Sequence, residues 1–340
     1  MDWPGLLKWS LKYSDGTKPT EIPSLTDEQR KWLDDAFKSL AIDEVEEMRN
    51  ILVKLEKIIT NPSQKEVCLN LLDQLMELIC GLDNAMNFCK IGGVFAMFDN
   101  ASNRAIDPEI RSLCFTLVTE CTQNNHFVQD MMSRIEFWTI KEIIEENETP
   151  KDLRTRAVVA LCAIIKGNNL VNKRLFLRND GLNFLLRMIL IHQADEKILS
   201  RLLSLLSDIL TFDKFLHLAI LRVEDESVNT NDIPSDQDLV HFKNFCLQRE
   251  KEITTIFKGL SKRIISDSSM SRHHLRFSYF SCLRHHVFNL KIAKKYDKKS
   301  WSELLKDLQM FLMEIETLLK SDEFYSMEVA KVREIIAVLN

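Results

Sequence analysis

A group of histidine and cysteine side chains between residues 273 and 286 has the composition of a metal site. His273 and His274 come first, followed by Cys282, His285 and His286. Cys282 shares a helical face with either of the last two histidines, so the group has part of a zinc-ligand pattern. A closed structural zinc site needs a second tight ligand pair, which the sequence does not supply. We therefore predict no metal here, and a partly exposed helix that carries these side chains.

Motifs for other common reactions are missing from the sequence. The pair Gly92-Gly93 lacks both the strand and the lysine of a phosphate-binding loop. There is no Cys-x-x-Cys pair and no Gly-x-Ser-x-Gly nucleophile elbow. Neighbouring carboxylates such as Glu46 and Glu47 leave a helix in different directions and do not form a catalytic pair. The sequence therefore predicts a protein that is not an enzyme and that needs no cofactor.

Composition indicates a helical protein that does not bind nucleic acid. Eight glycines and seven prolines among 340 residues leave few sharp turns, and 45% of the residues are hydrophobic. The net charge of −5 is unlike the strongly basic domains that bind nucleic acid. We find no signal-peptide pattern, and no apolar stretch of the roughly 20 residues that a membrane span needs. The eight cysteines are expected to be reduced thiols, so we predict a cytoplasmic protein that could also enter the nucleus.

Helix signals recur from about residue 90 with a period of about 43 residues. Asp107-Pro108 and Thr149-Pro150 each have the form of an N-cap followed by proline, and they lie 42 residues apart. Each opens a long apolar helix, and shorter apolar helices start at residues 93, 137 and 181. Units of 40–47 residues with two or three helices are typical of armadillo and HEAT repeats. We predict an all-α fold: an armadillo-like right-handed helical solenoid with flanking helices, whose concave surface binds another protein.

The predicted organisation has four parts. Residues 1–25 form a flexible N-terminal arm, 26–222 the armadillo-like repeat core, 223–236 an acidic loop, and 237–340 a C-terminal helical extension. In that extension the repeat is no longer legible, and helices are expected at roughly 237–266, 270–292, 300–320 and 323–338.

Five short motifs occur in the order of a known family. They are Gly5-Leu-Leu-Lys-Trp9-Ser, Thr26-Asp-Glu-Gln-Arg-Lys-Trp32-Leu, Glu44-Val-Glu-Glu-Met48, Leu82-Asp83-Asn84-Ala85-Met-Asn87-Phe-Cys-Lys-Ile-Gly92-Gly93 and Gln123-Asn124-Asn125. Over residues 5 to about 215 the chain thereby resembles the cytosolic armadillo-type nucleotide exchange factors of heat-shock-70 chaperones, the HspBP/Fes group. Beyond about residue 250 the resemblance does not align.

The resemblance implies a mechanism and a set of partner-binding residues. In that family the concave face clasps the outer lobe of the chaperone's nucleotide-binding (ATPase) domain, which weakens ADP binding and lets ATP reload and release the client. The partner-binding residues that the resemblance implies are Asp83, Asn84, Ala85, Asn124, Asn125, Arg154 and Arg201. Arm residues Leu6, Leu7 and Trp9 are implied to mimic an unfolded client at the substrate-binding domain.

Several of these residues also have structural explanations. Asn84 could cap a helix, the pair Asn124-Asn125 could end one, and Arg154 could be a solvated first-turn residue.

Three other functions remain open at this point. An armadillo scaffold for extended peptides would carry Trp and Asn on each long helix, but the corresponding positions are Thr116 and Glu120, Val159 and Ala163, and Leu203 and Ser207. An exchange factor of the ER lumen would need a signal peptide. An enzyme site in the C-terminal half would need His273, His274, Cys282 and His285 to converge.

Overall fold

The described part of the chain is helical. The computed structural model describes residues 26–32, 43–135, 137–167, 170–211, 248–266, 268–292, 294–319 and 325–340, and no strand occurs in these ranges. The all-α prediction is confirmed. The predicted N-terminal arm and acidic loop lie outside the described residues. No helix in the same ranges has the length and apolarity that crossing a bilayer requires.

Residues 27–32 are helical, and two fully described helices lie between them and the repeats. Helix α1 spans Glu44–Ile58 and α2 spans Lys65–Leu78. The carboxylate of Asp43 accepts a hydrogen bond from the amide of Glu46 (3.1 Å) and thereby caps α1. The buried stripe of α1, which includes Met48 and Leu55, belongs to the apolar core between α1 and α2.

Three units of three helices follow. The first contains α3 (Leu82–Lys90), α4 (Gly93–Ser102) and α5 (Pro108–Thr122). The second contains α6 (His126–Met131), α7 (Phe137–Glu145) and α8 (Lys151–Ile165), and the third α9 (Leu170–Arg178), α10 (Gly181–Ile191) and α11 (Glu196–Leu210). First helices start 44 residues apart, as do second helices. The predicted repeat is confirmed.

A glycine opens the second helix of the first and third units because an aromatic ring lies against it. A Cβ on Gly93 would overlap the ring of Phe88, and a Cβ on Gly181 would overlap the ring and the carbonyl oxygen of Phe176. Both phenylalanines are fully buried. The spacing of five residues between ring and glycine therefore brings the first and second helices of a unit into close contact.

Four helices are described in the C-terminal part: α12 (Glu250–Ile265), α13 (His273–Ile292), α14 (Ser302–Leu319) and α15 (Ser326–Leu339). They match the four helices predicted there, the first of which is described only from residue 248 onward. Helix α13 packs along α11, where the hydroxyl oxygens of Ser200 and Ser278 lie 3.2 Å apart. Asn289 donates a hydrogen bond to the carbonyl of Leu210 (2.8 Å) at the end of α11.

The long helices pack one against the next from α2 through α5, α8, α11 and α13 to α15. One buried apolar cluster runs from Met48 to Leu339 beneath them. Between α13 and α15, the fully buried Arg276 and Glu328 form an ion pair of 3.1 Å. We call the exposed side chains of α5, α8 and α11 the long-helix face, because the repeat places them on one continuous surface.

Candidate partner-binding surface

Equivalent positions on the long-helix face are counted from the N-cap residues of its helices, which are Asp107, Pro150 and Asp195. Nine residues after the N-cap stand Thr116, Val159 and Ser204, and thirteen after it stand Glu120, Ala163 and Asp208. All six are at least partly exposed.

The predicted peptide-clamp positions of the third unit were wrong by one residue. Leu203 is fully buried and Ser207 is only 9% exposed. The N-cap of α11 follows that of α8 by 45 residues, so the equivalent positions are Ser204 and Asp208. Neither is Trp or Asn, so these three described units carry no peptide clamp of that kind.

A cavity of about 490 Å³ opens on the long-helix face between α5, α6, α8 and α11. Its apolar lining comes from Val159, Cys162 and Ala163 of α8. Polar lining comes from Thr119, Gln123, Asn124, His126, Gln129, Lys166, Arg201 and Asp208. A cavity of this size with a mixed lining is suited to receiving side chains of a partner.

Positive charge is in excess around this cavity. Asp208 is paired with Lys173, whose side chain is almost fully buried, at 2.5 Å. Lys166 donates to the hydroxyl of Ser204 (2.8 Å), and the guanidinium of Arg201 contacts no acidic group among the described residues. Because Asp208 is already neutralised, Lys166 and Arg201 leave the cavity favourable to an acidic group.

The cavity holds no reactive thiol. Burial raises the pKa of Cys162 to about 12, although the nearby Lys166 and Arg201 act in the opposite direction. A thiol with that pKa is protonated at neutral pH and is a poor nucleophile.

The three predicted residues of α3 differ in their surroundings. Asp83 is exposed, Asn84 is half-buried and Ala85 is 4% exposed. The side-chain amide of Asn84 donates to the carbonyl of Leu78 (2.8 Å) at the end of α2 and to the carboxylate of Glu44 (2.5 Å). Asn84 therefore ties α3 to its neighbours.

The third unit repeats this tie. Asn172 is the third residue of α9, as Asn84 is of α3, and it donates to the carbonyl of Ile164 (3.0 Å) near the end of α8. An amide at this position satisfies carbonyls that a helix end leaves without partners.

Asn124 and Asn125 lie between α5 and α6. Asn124 is exposed and has φ +57, a left-handed conformation that asparagine tolerates after a helix end. Asn125 is 3% exposed, and its side-chain oxygen accepts from the amide of Val128 (3.3 Å) as the N-cap of α6. Only Asn124 presents its side chain to the cavity.

Arg154 holds the loop before its own helix. Its guanidinium donates to the carbonyls of Glu146 (2.6 Å), Asn147 (3.1 Å) and Thr149 (3.1 Å). Arg111 also stands four residues after an N-cap, is buried, and donates to the carbonyl of Ala101 (2.8 Å). Both arginines thus anchor the start of a long helix to the preceding segment.

Of the seven predicted partner-binding residues, the structure brings Asn124 and Arg201 together at the cavity. Asp83, Asn84, Ala85, Asn125 and Arg154 are not among its lining residues. Lys166 and Gln129 also line it, and sequence reasoning missed both. Its position could have indicated Lys166, which stands sixteen residues after the N-cap of α8, about one turn beyond the peptide-clamp position Ala163. The arm residues Leu6, Leu7 and Trp9 lie outside the described residues.

The histidine and cysteine side chains of α13 do not converge. His273 lies 2.7 Å from the carboxylate of Glu328, His286 lies 2.8 Å from the hydroxyl of Thr254, and Cys282 is fully buried. In the part of the chain that the structure describes, no group of three or more His, Cys, Asp and Glu side chains could hold a metal ion.

Stacked three-helix units with a continuous row of long helices define an armadillo-type helical repeat protein. Two solved structures share this fold. A designed armadillo repeat protein in complex with the peptide (KR)4 has a TM-score of 0.52 at 13% identity, covering 86% of this chain and 100% of that one. An engineered protein has a TM-score of 0.54 at 12% identity, covering 86% and 96%.

The family described as nucleotide exchange factor Fes1 matches residues 4–88. This confirms the resemblance to armadillo-type exchange factors, on the arm, α1, α2 and most of α3. No curated protein matches the chain. A cytosolic location stays a prediction.

Proposed function

We propose that this chain is a nucleotide exchange factor that binds the nucleotide-binding domain of heat-shock-70 chaperones and promotes release of ADP and of the client. The observation that carries the proposal is the Fes1 family match at residues 4–88. The armadillo fold supports it, since it offers a long surface for a folded partner. The factor binds the ADP-free domain more tightly than the ADP-bound one, and this difference alone promotes exchange, without a catalytic residue in the chain.

The proposed contact surface is the long-helix face together with the exposed edge of α3. Asp83, Asn124 and Arg201 are the direct contacts in this proposal, because their side chains are exposed. Of the other predicted residues, Asn84, Asn125 and Arg154 hydrogen-bond to the backbone at helix ends, and Ala85 is 4% exposed. Their substitution acts through the fold.

The arm completes the proposal. Leu6, Leu7 and Trp9 would dock in the client site of the chaperone's substrate-binding domain and speed client release. A chaperone of the cytoplasm is the proposed partner, which agrees with the seven described cysteines being free thiols.

The test measures release of a fluorescent ADP analogue from a purified heat-shock-70 chaperone. Wild type is expected to accelerate release. Arg201→Glu is expected to need at least about tenfold more protein for the same acceleration, because reversing a charge inside an interface costs about 1.4 kcal/mol or more. The matched control is Lys306→Glu, the same charge change at an exposed residue of α14, away from the long-helix face.

Each outcome has one meaning. No acceleration by wild type contradicts the proposed function. Equal acceleration by Arg201→Glu and Lys306→Glu contradicts the proposed surface. Binding of the chaperone without faster release would indicate the alternative function, an armadillo scaffold or adaptor.

A further inference from the structure

Arg201 has an equivalent on the neighbouring long helix, Arg156, which the family resemblance does not imply as a contact. Six residues after the N-cap, α8 carries Arg156 and α11 carries Arg201. At the same position α2 carries Asn70 and α5 carries Leu113. Because α8 and α11 pack side by side, a pair of arginines occupies equivalent places on two neighbouring helices. Among α2, α5, α8 and α11, only the last two carry a basic residue at this position.

The side chain of Arg156 is available to a partner. It is 48% exposed, and its ion pair with Asp152, one turn earlier, is long at 3.8 Å. An exposed pair of this kind contributes little to stability, so Arg156 can readily exchange Asp152 for a better partner. A guanidinium can bind a carboxylate through two parallel hydrogen bonds, which an approaching acidic side chain would supply.

The acidic groups of α11 do not cancel this charge, because each is engaged elsewhere. Asp195 pairs with Lys151 (2.9 Å), Glu196 with Arg272 (2.9 Å), and Asp208 with Lys173 (2.5 Å). Lys166 adds a further cation beside Arg201 at the cavity. The surface across α8 and α11 is therefore positive, in a chain whose net charge is −5.

We infer that the partner presents a strip of acidic side chains to α8 and α11, and that Arg156 binds this strip beside Arg201. The inference rests on the proposed function. It adds that the contacting surface of the partner is acidic, and that this acidic strip runs across α8 and α11. Charge matching of this kind orients the partner and accelerates encounter.

The experiment titrates the full chain against the nucleotide-free nucleotide-binding domain of a heat-shock-70 chaperone, at several salt concentrations. The variants are Arg156→Glu, Arg156→Lys and the control Lys306→Glu. We expect Arg156→Glu to raise Kd at least about tenfold. The Kd of this variant should also vary less with salt concentration than that of wild type, since both effects follow from a lost charge pair. Arg156→Lys should retain most of the salt dependence, and Lys306→Glu should stay within about twofold of wild type. Circular dichroism melting checks that each variant is folded.

The outcomes separate the two proposals. A wild-type chain that does not bind the domain overturns the proposed function and this inference with it. Wild-type binding that Arg156→Glu leaves within about twofold overturns this inference alone, since a reversed contact charge would cost more. Tighter binding by Arg156→Glu also overturns it, because the facing surface would then be basic.

Discussion

His286 illustrates, at the scale of the residue, how burial decides the charge of a side chain. It is 3% exposed, its Nε2 lies 2.8 Å from the hydroxyl of Thr254, and its ring lies beside those of Phe257 and Trp301. Burial lowers the pKa of His286 to about 3, so the imidazole is neutral at physiological pH. In the unfolded chain its pKa returns to about 6.5. The neutral histidine therefore stabilises the fold fully above pH 6.5, and this contribution is lost as the pH falls toward 3.

Replacing His286 should flatten the dependence of stability on pH. Between about pH 6.5 and 4.5, the unfolding free energy of wild type should fall more steeply than that of His286→Gln, by up to about 1.4 kcal/mol per pH unit. Urea unfolding at a series of pH values measures both slopes. Met313→Gln supplies the control, since Met313 is exposed and does not titrate, so this variant should keep the wild-type slope. Parallel curves for wild type and His286→Gln would contradict the assignment.

The sequence identifies residue types but not the directions of their side chains. Arg154 and Arg201 both follow from the family resemblance, yet Arg154 donates to three backbone carbonyls while Arg201 lines the cavity. Asn84 likewise ends in a hydrogen bond to Leu78. The sequence allows a capping role for Asn84, which its hydrogen bond to Leu78 bears out. The solvated first-turn position considered for Arg154 is wrong, because its guanidinium is engaged by the loop before the helix. Arg156 was missed because its role depends on the register between helices.

At the scale of the element, close contact between the first and second helices of a unit depends on glycine. The carbonyl oxygen of Phe176 lies where a Cβ on Gly181 would be, and backbone cannot move aside as a side-chain end can. Gly259 offers the opposite case, since nothing lies within 4 Å of the place where its Cβ would be, and it stands inside α12.

These two glycines should respond to alanine with opposite signs. Gly181→Ala should lower the unfolding free energy by about 1–3 kcal/mol, the usual cost of overpacking. Gly259→Ala should raise it by up to about 1 kcal/mol, because alanine is the better helix former. Thermal melting followed by circular dichroism compares both with wild type. A melting temperature of Gly181→Ala at or above that of wild type would rule out steric overlap as the reason for Gly181.

The three-helix units could be predicted because proline, glycine and apolar positions recur with a nearly constant period. The positions of the C-terminal helices in the sequence could also be predicted, but the spacing between them and their packing partners could not. Helices α12 and α14 start 52 residues apart, and α13 and α15 start 53 apart. This spacing differs from the 44 residues of the first units, so the C-terminal helices do not continue the repeat at its original period. The pairing of α11 with α13 depends on side-chain packing across residues far apart in sequence, and no local signal encodes it.

At the scale of the whole molecule, the row of long helices turns separate repeats into one surface. The cavity joins residues from Thr119 to Asp208, which the repeat brings together although they lie in different units. The period alone predicts that such residues share a face. It does not predict where the face opens into a cavity, because that depends on where α5 and α8 end and on how α6 lies between them.

Under the proposed function, the chain would act on a chaperone only through differential binding, and thermodynamics then fixes a reciprocal effect. If the chain weakens ADP binding to the nucleotide-binding domain by some factor, ADP must weaken binding of the chain by the same factor, commonly about 5- to 150-fold. Two titrations test this: the Kd of ADP with and without saturating chain, and the Kd of the chain with and without saturating ADP. We expect both ratios to exceed about fivefold and to agree. If ADP leaves the Kd of the chain for the domain unchanged, exchange activity is contradicted. A ligand that binds two states with equal affinity cannot shift the equilibrium between them.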